Sequence, residues 1–288
     1  LAIEPRRVES LLHRGGTRAN WSQWGELPFE RIDERSRAAI ADFDALLALD
    51  PARVQALVWR GNAHMGLALG LRKAGRDPGS EFAAAGADYD RAIERLPGYF
   101  MAWNHRGFLR CAEAETQAPA ERERALLAAE ADLTRAVALH AASGPTWSYR
   151  GQVRLQLGEL RAASGRDPAE AWTGAVADLF QVVNLDERSF DGWLRVGAAC
   201  EKLALWRAGR GEDHQRLLEQ AVGAFKHAAK VAPGHPQPVL DLAGFWLNYG
   251  NHLAGRGPGP AQAAAAYLRA IQLFGQALDL APAAPAGW

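Results

Sequence analysis

Cysteine is almost absent from the chain. Cys111 and Cys200 lie far apart with no CxxC or Cys/His cluster around either, so neither a disulfide framework nor a structural zinc site is indicated, and a reducing, cytoplasmic setting is the simpler expectation. Charge of one sign is not in excess: 33 basic residues stand against 33 acidic ones. That balance gives no electrostatic reason to expect DNA, RNA or an anionic membrane surface as partner. Long apolar runs are missing too, so no membrane segment is expected. The opening Leu1-Ala2-Ile3-Glu4-Pro5-Arg6-Arg7 lacks the charged-then-apolar order of a signal peptide. The first residue is Leu rather than Met, which reads as an excised piece of something longer. At 288 residues the chain could form one or two domains, or one continuous array.

What is present is a repeat. A glycine preceded mostly by arginine recurs at Arg14-Gly15, Arg60-Gly61, Arg106-Gly107, Arg150-Gly151, Val196-Gly197 and Ala243-Gly244, in steps of 44 to 47 residues. Four residues before each glycine stands a large apolar residue: Leu11, Leu57, Trp103, Trp147, Trp193 and Leu240. A second anchor follows at Phe43, Tyr89, Leu133, Leu179, Phe225 and Phe274, with Leu46, Ala92, Ala136, Val182, Ala228 and Ala277 three residues on. Each unit holds two stretches of apolar residues at helical spacing, so the unit is a helical hairpin. The breakers between them are of one kind, namely Gly75-Arg76-Asp77-Pro78, Gly165-Arg166-Asp167-Pro168, Gly211-Glu212-Asp213 and Gly257-Pro258-Gly259-Pro260. Asp before Pro reads as a helix start, and Glu170 is placed to complete a capping box with Asp167.

These residues resemble the tetratricopeptide repeat (TPR) family, whose 34-residue unit carries W-x2-L-G on its first helix, an aromatic and a small residue on its second, and Pro at its end. Trp103 to Gly107, Tyr89 with Ala92, and Pro51, Pro97, Pro233 and Pro282 carry the likeness. Two departures stand out. Arg replaces the family's Leu before four of the glycines, and the period is near 46. The step from second anchor to the next first anchor is 14 or 15, as in the ordinary repeat, so the surplus lies at the hairpin tip. The expectation is an all-α, right-handed superhelical solenoid of about six antiparallel helix-turn-helix hairpins with lengthened helices. The array would cover 1–288 as a single domain, with units near 1–51, 52–97, 98–141, 142–187, 188–233 and 234–282. Residues 283–288 would open a truncated seventh unit, Trp288 taking the place of Trp103; the alternative is a flexible linker. Gly15, Gly16 and Gly25 interrupt the first helix and are expected to leave Trp21 and Trp24 in an irregular cap.

Chemistry is conspicuously missing. No P-loop, H-E-x-x-H, G-x-S-x-G or strand-linked G-x-G-x-x-G occurs. The prolines of Gly255-Arg256-Gly257-Pro258-Gly259 remove amides that a phosphate cradle would need, so it reads as a tip turn. His64, His105 and the other histidines show no metal spacing. Neither an enzyme, a cofactor nor a metal is expected. Aromatic residues such as Trp59, Trp172, Trp206 and Trp246 read as core filling for the taller hairpins.

A binding surface is left as the function. The resemblance implies that five positions per first helix, at −6, −3, +1, +4 and +5 from the glycine, line a concave groove for a protein or peptide partner. In this chain the set is Asn62, Met65, Asn104, Phe108, Ser148, Gln152, Gln156, Leu194, Glu201, Lys202, Asp241, Phe245, Asn248 and Tyr249, with Val58 and Cys111 beside them. Asn and Gln pair with a peptide backbone in either direction, which suits an extended peptide. The expected role is a protein-interaction scaffold; the Arg-rich, Lys-poor composition suggests a GC-rich bacterial genome. Arrays of this kind look like those attached to bacterial serine/threonine kinases and related signalling proteins. A helical-repeat nucleic-acid-binding module is the alternative, and a mere spacer with a solvated groove the blandest one. A ridge of tip arginines, among them Arg72, Arg76, Arg161, Arg166, Arg207 and Arg210, is a rival surface.

One pattern is internal to the chain. Arg14, Arg60, Arg106 and Arg150 occur in the units that also carry Asp42, Asp88, Asp132 and Asp178 just before the second anchor, and units five and six lose both together. Joint presence and loss predict an Arg–Asp bridge within each of four hairpins, because an arginine at a normally apolar position is costly without a carboxylate. Pairing with the next unit's arginine is the rival arrangement.

Overall fold

A computed structural model of the chain describes residues 5–19, 27–115, 117–256 and 260–280. Trp21, Trp24 and Gly25, the Gly257-Pro258-Gly259 tip, and Pro282 to Trp288 lie outside the described residues. Among the described residues the secondary structure is helical throughout, in twelve helices that pair into six antiparallel hairpins. These are α1 (Pro5–Arg18) with α2 (Phe29–Leu49), α3 (Val54–Lys73) with α4 (Gly79–Arg95), and α5 (Phe100–Ala114) with α6 (Pro119–Leu139). Then come α7 (Gly144–Ala163) with α8 (Ala169–Leu185), α9 (Phe190–Gly209) with α10 (Gln215–Val231), and α11 (Gln237–Arg256) with α12 (Pro260–Leu280). The chain groups into two compact units that meet at the Tyr149–Arg150 bond inside α7. Helix α1 runs straight through Gly15 and Gly16, because its hydrogen bonds need no side chain there.

The surplus residues of the long period are helical. Helix α3 continues from Gly61 to Lys73, α7 from Gly151 to Ala163 and α9 from Gly197 to Gly209. Hairpin three divides its length differently, with a 15-residue α5 and a 21-residue α6. At three tips a glycine takes positive φ, Gly75 at 69°, Gly165 at 73° and Gly211 at 73°. The next amide then reaches back to the last turn: Arg76 N to Leu71 O at 2.9 Å, Arg166 N to Arg161 O at 2.8 Å and Glu212 N to Arg207 O at 2.9 Å. This is the Schellman stop, which a Cβ at the left-handed residue would strain. Asp77, Asp167 and Asp213 then accept from the amides of Gly79, Ala169 and Gln215 at 2.9, 2.9 and 3.2 Å, satisfying free donors of the second helix. Glu170 does not join a capping box: no side chain caps Pro168, and the Glu170 carboxylate lies 3.7 Å from Arg161.

The repeated glycines set how closely two helices approach. A Cβ on Gly15, Gly61, Gly107, Gly151 or Gly197 would lie 2.8, 2.6, 2.7, 3.0 or 2.5 Å from Phe43, Tyr89, Leu133, Leu179 or Phe225 respectively. Those five second anchors are buried, each contributing about 1.5–3 kcal/mol of apolar burial. Hairpin six departs from the pattern. Nothing lies within 4 Å of a Cβ on Gly244, and Phe274 is 37% exposed. The close approach shifts toward the tip, where Tyr267 sits 2.7 Å from a Cβ on Gly250. Between hairpins the tryptophans fasten the turns. The indoles of Trp103, Trp147 and Trp193 donate to the carbonyls of Pro97, Ala141 and Glu187 at 2.9, 2.7 and 2.9 Å.

Candidate interaction surfaces

Four carboxylates tie the first helices to the second. Arg14, Arg60, Arg106 and Arg150 each donate from Nε and Nη2 to one aspartate, Asp42, Asp88, Asp132 and Asp178, with Nη2 distances of 2.5, 2.6, 2.7 and 2.7 Å. All four aspartates are buried, so two parallel charge-assisted bonds offset a desolvation that a lone carboxylate could not bear. A second arginine one turn along joins three of them: Arg18 to Asp42 at 2.7 Å, Arg110 to Asp132 at 2.6 Å and Arg154 to Asp178 at 3.0 Å. The sequence shows these only as arginines four residues after the first. In hairpin two that place is His64, which pairs with Glu81 at 2.7 Å instead. The contact with the neighbouring unit is also made, to a different acid: Arg60 reaches Asp44 and Arg106 reaches Asp90, each at 2.6 Å. Hydrogen bonding to Asp88 foremost holds the Arg60 guanidinium above the usual arginine range.

The positions assigned to the groove divide into two groups. Asn62, Met65, Asn104 and Phe245 are buried and offer no surface to a partner; Val58 and Cys111 are buried with them. The reason is packing by side chains of the same hairpin and of its neighbour. Asn62 accepts from Tyr89 Oη at 2.8 Å, and its Nδ2 lies 3.4 Å from His105 Nε2, while Met65 joins Phe82, Leu109 and Ala112 in one apolar cluster. Phe245 packs between Trp246 and Tyr249, and the Asn104 Oδ1 is enclosed without a partner. Burial pushes the His105 imidazole down to about 4.

The remaining positions stay accessible, and several join consecutive first helices. Phe108 meets Tyr149 with ring centroids 4.7 Å apart. Arg195 donates to Gln152 at 3.3 Å, Lys202 pairs with Glu159 at 2.9 Å, and Asn248 donates to Glu201 at 2.8 Å. Burial raises the Glu201 and Asp241 carboxyls above their ordinary values. Ser148, Gln156 and Leu194 are half-buried on the same helices, the Gln156 Oε1 fully enclosed. A pocket of about 410 Å³ between α1 and α3 has Glu9, Leu12, Gly16 and Gln55 in its wall. These occupy the −6, −3 and +1 positions of their own repeats, a register visible in the sequence although the groove set above passes over them.

Neither a protein-family model nor a curated protein matches the sequence. Solved structures do. TTC0263, a thermophilic TPR protein of Thermus thermophilus, superposes with a TM-score of 0.51 at 19% identity, over 83% of this chain and 99% of that one. The fold is the TPR fold. PilF of Pseudomonas aeruginosa superposes with a TM-score of 0.50 at 15% identity, over 96% of this chain and 95% of its own. At such identities the likeness extends to backbone arrangement and not to side-chain chemistry.

Cys200 is buried, its thiol pushed up to about 12 by that burial, far from the thiolate a nucleophile needs. Among the described residues no three His, Cys, Asp or Glu side chains converge on a metal-sized site, and no helix is long and apolar enough to cross a membrane. Three of the tip arginines are engaged within the chain: Arg72 pairs with Glu115 at 2.7 Å, Arg210 with Glu212 at 2.8 Å, and Arg76 lies over the Phe29 ring.

Proposed function

We propose that this TPR chain is a non-catalytic protein-interaction scaffold that holds a peptide segment of a partner along its first helices. One observation carries the reading. Gln152 and Asn248 are accessible amides on first helices, each held by one hydrogen bond to the adjacent first helix, which leaves further donors and acceptors for a peptide backbone. Leu194 and Tyr249 beside them supply apolar contact. Arg14, Arg60, Arg106 and Arg150 favour a protein over a nucleic acid, because they are taken up by carboxylates rather than presented as a cationic row for phosphates.

A photo-crosslinking residue tests the surface directly. Placed at Asp241 or Leu194 it should form adducts with partner peptides, and placed at the exposed Gln181 on α8 it should not. Gln152→Ala with Asn248→Ala should lower the yield at both first-helix sites while leaving helicity and melting unchanged, since exposed polar changes shift stability by less than about 0.5 kcal/mol. Equal adduct yields from first and second helices would remove the first-helix face as the site.

A further inference from the structure

Hairpin six lacks a crossing that hairpins two and three possess. There, one arginine bridges consecutive second helices, Arg60 joining Asp44 to Asp88 and Arg106 joining Asp90 to Asp132. The equivalent places in hairpin six are Lys226, Ala243 and Leu273. An alanine cannot cross, and the acid that would receive it has become a lysine. A cleft of about 610 Å³ lies at this point between α10 and α12, with α11 beneath.

The cleft is chemically two-sided. Trp246, Tyr249 and Leu253 lie on its α11 side, with Leu218 and Val222 on the α10 wall. Lys226 enters from α10 and Arg269 from α12, where the Arg269 guanidinium lies 4.5 Å from the centre of the Trp246 ring. Neither cation has a carboxylate partner among the described residues. The one acid in the wall, Glu219, accepts from Gln215 at 3.2 Å. A second cavity of about 350 Å³ shares Val222, Lys226, Trp246 and Arg269 with the first and continues past Gln272 to Gln276. The two cations therefore stand at the waist of one elongated groove.

We propose that this groove docks an acidic peptide segment of a partner protein, a large apolar side chain lying against Trp246 and Leu253 and a neighbouring Asp or Glu held between Lys226 and Arg269. Charge complementarity selects the carboxylate, since two cations converging from opposite walls repel each other until an anion joins them. The shape selects a chain over a compact small molecule. Along α12 the groove runs from Gln262 to Gln276, about 21 Å at 1.5 Å per residue. Its glutamines supply donors and acceptors for a backbone along that length. The site shares the Tyr249 ring with the first-helix face and is otherwise lined by different residues, so it stands or falls without Gln152 and Asn248.

The test uses arrayed peptides of about 12 residues, each placing Leu, Phe or Trp beside a pair of acids, probed with the full chain at about 50 and about 500 mM salt. Matched arrays carry Asn and Gln, or Lys, in place of the acids. The acidic set should be captured about tenfold better than either control at low salt and lose most of that advantage at high salt. Lys226→Glu with Arg269→Glu should move the preference to the Lys set, and Ala265→Trp, which fills the cleft, should abolish capture. Both cations are exposed, so the reversal leaves the fold in place, as circular dichroism will verify. Gln152→Ala with Asn248→Ala should leave acidic capture untouched. Equal capture of acidic and amide sets, no capture of any acidic peptide, an unchanged preference in the charge reversal, or loss in the first-helix variants would overturn the proposal.

Discussion

Asp132 receives three guanidinium bonds, two from Arg106 and one from Arg110. Removing a buried carboxylate leaves two cations facing each other, so Asp132→Ala should cost about 3–5 kcal/mol in chemical denaturation. Hairpin five shows how the same place is filled without charge, with Val196, Cys200 and Ala224 at the equivalent positions. Arg106→Val, Arg110→Cys and Asp132→Ala together should therefore be much milder than Asp132→Ala alone. A double-mutant cycle on Arg106 and Asp132 should give a coupling energy of about 1–3 kcal/mol; additive effects would mean that the bridge contributes nothing. The glycines permit a matched pair. Gly107→Ala drives a Cβ to 2.7 Å from Leu133 and should destabilise by about 1–3 kcal/mol. Gly244→Ala meets nothing within 4 Å and should stabilise by up to about 1 kcal/mol through helix propensity.

At the level of elements, the tip turns and the helix-to-helix polar contacts are separable. Gly165→Ala forces a Cβ into the left-handed region at φ 73°, at a cost of about 1–2 kcal/mol. Asp167→Ala removes a single cap bond and should cost about 0.5–2 kcal/mol. His105 of α5 gives a pH signature. Its neighbours, Tyr89 at a stacking distance of 5.9 Å and the Asn62 amide, are neutral, and burial depresses its folded value from 6.5 to about 4. The unfolded chain binds the proton first, so the stabilising contribution is complete above pH 6.5 and is lost as pH falls from 6.5 to about 4. The melting temperature of His105→Asn should accordingly fall less steeply than that of the unaltered protein across this interval. Parallel melting curves would show that His105 titrates alike in both states.

At the scale of the whole molecule, each hairpin inside a compact unit covers the outer side of its predecessor's second helix, and the last has no such cover among the described residues. Leu268, Ile271 and Leu278 on α12 are 61, 65 and 75% exposed. The same registers in hairpin one hold Arg37, Ile40 and Leu47, of which Ile40 and Leu47 are partly buried against the core. Stability in stacked repeats comes largely from neighbour interfaces. Amide exchange should therefore be faster in α12 than in α8 or α10 of the same compact unit. Protection of α12 equal to that of α10 would show that the exposure of Leu268, Ile271 and Leu278 costs nothing.

The sequence by itself determined the repeat, its hairpin character and the place of its extra length. These follow from local rules: the recurrence of a small residue where helices touch, a left-handed glycine before Asp, and a constant 14- or 15-residue step between anchors. It also displayed the joint occurrence of Arg106 with Asp132 and of their three counterparts, since a buried charge constrains its partner's identity. Only the tertiary structure decided what stands at the surface. Asn62 and Asn248 share an amide and both belong to first helices, yet one is enclosed by Tyr89 and His105 and the other is open. That difference depends on side chains more than twenty residues away in sequence, which no register on a single helix encodes. The cleft beside Trp246 belongs to the same class. Trp172 and Trp246 read alike as core residues along the chain, and only the separation of α10 from α12 leaves the second half-buried in the wall of a cleft, under the Arg269 guanidinium, while the first is buried.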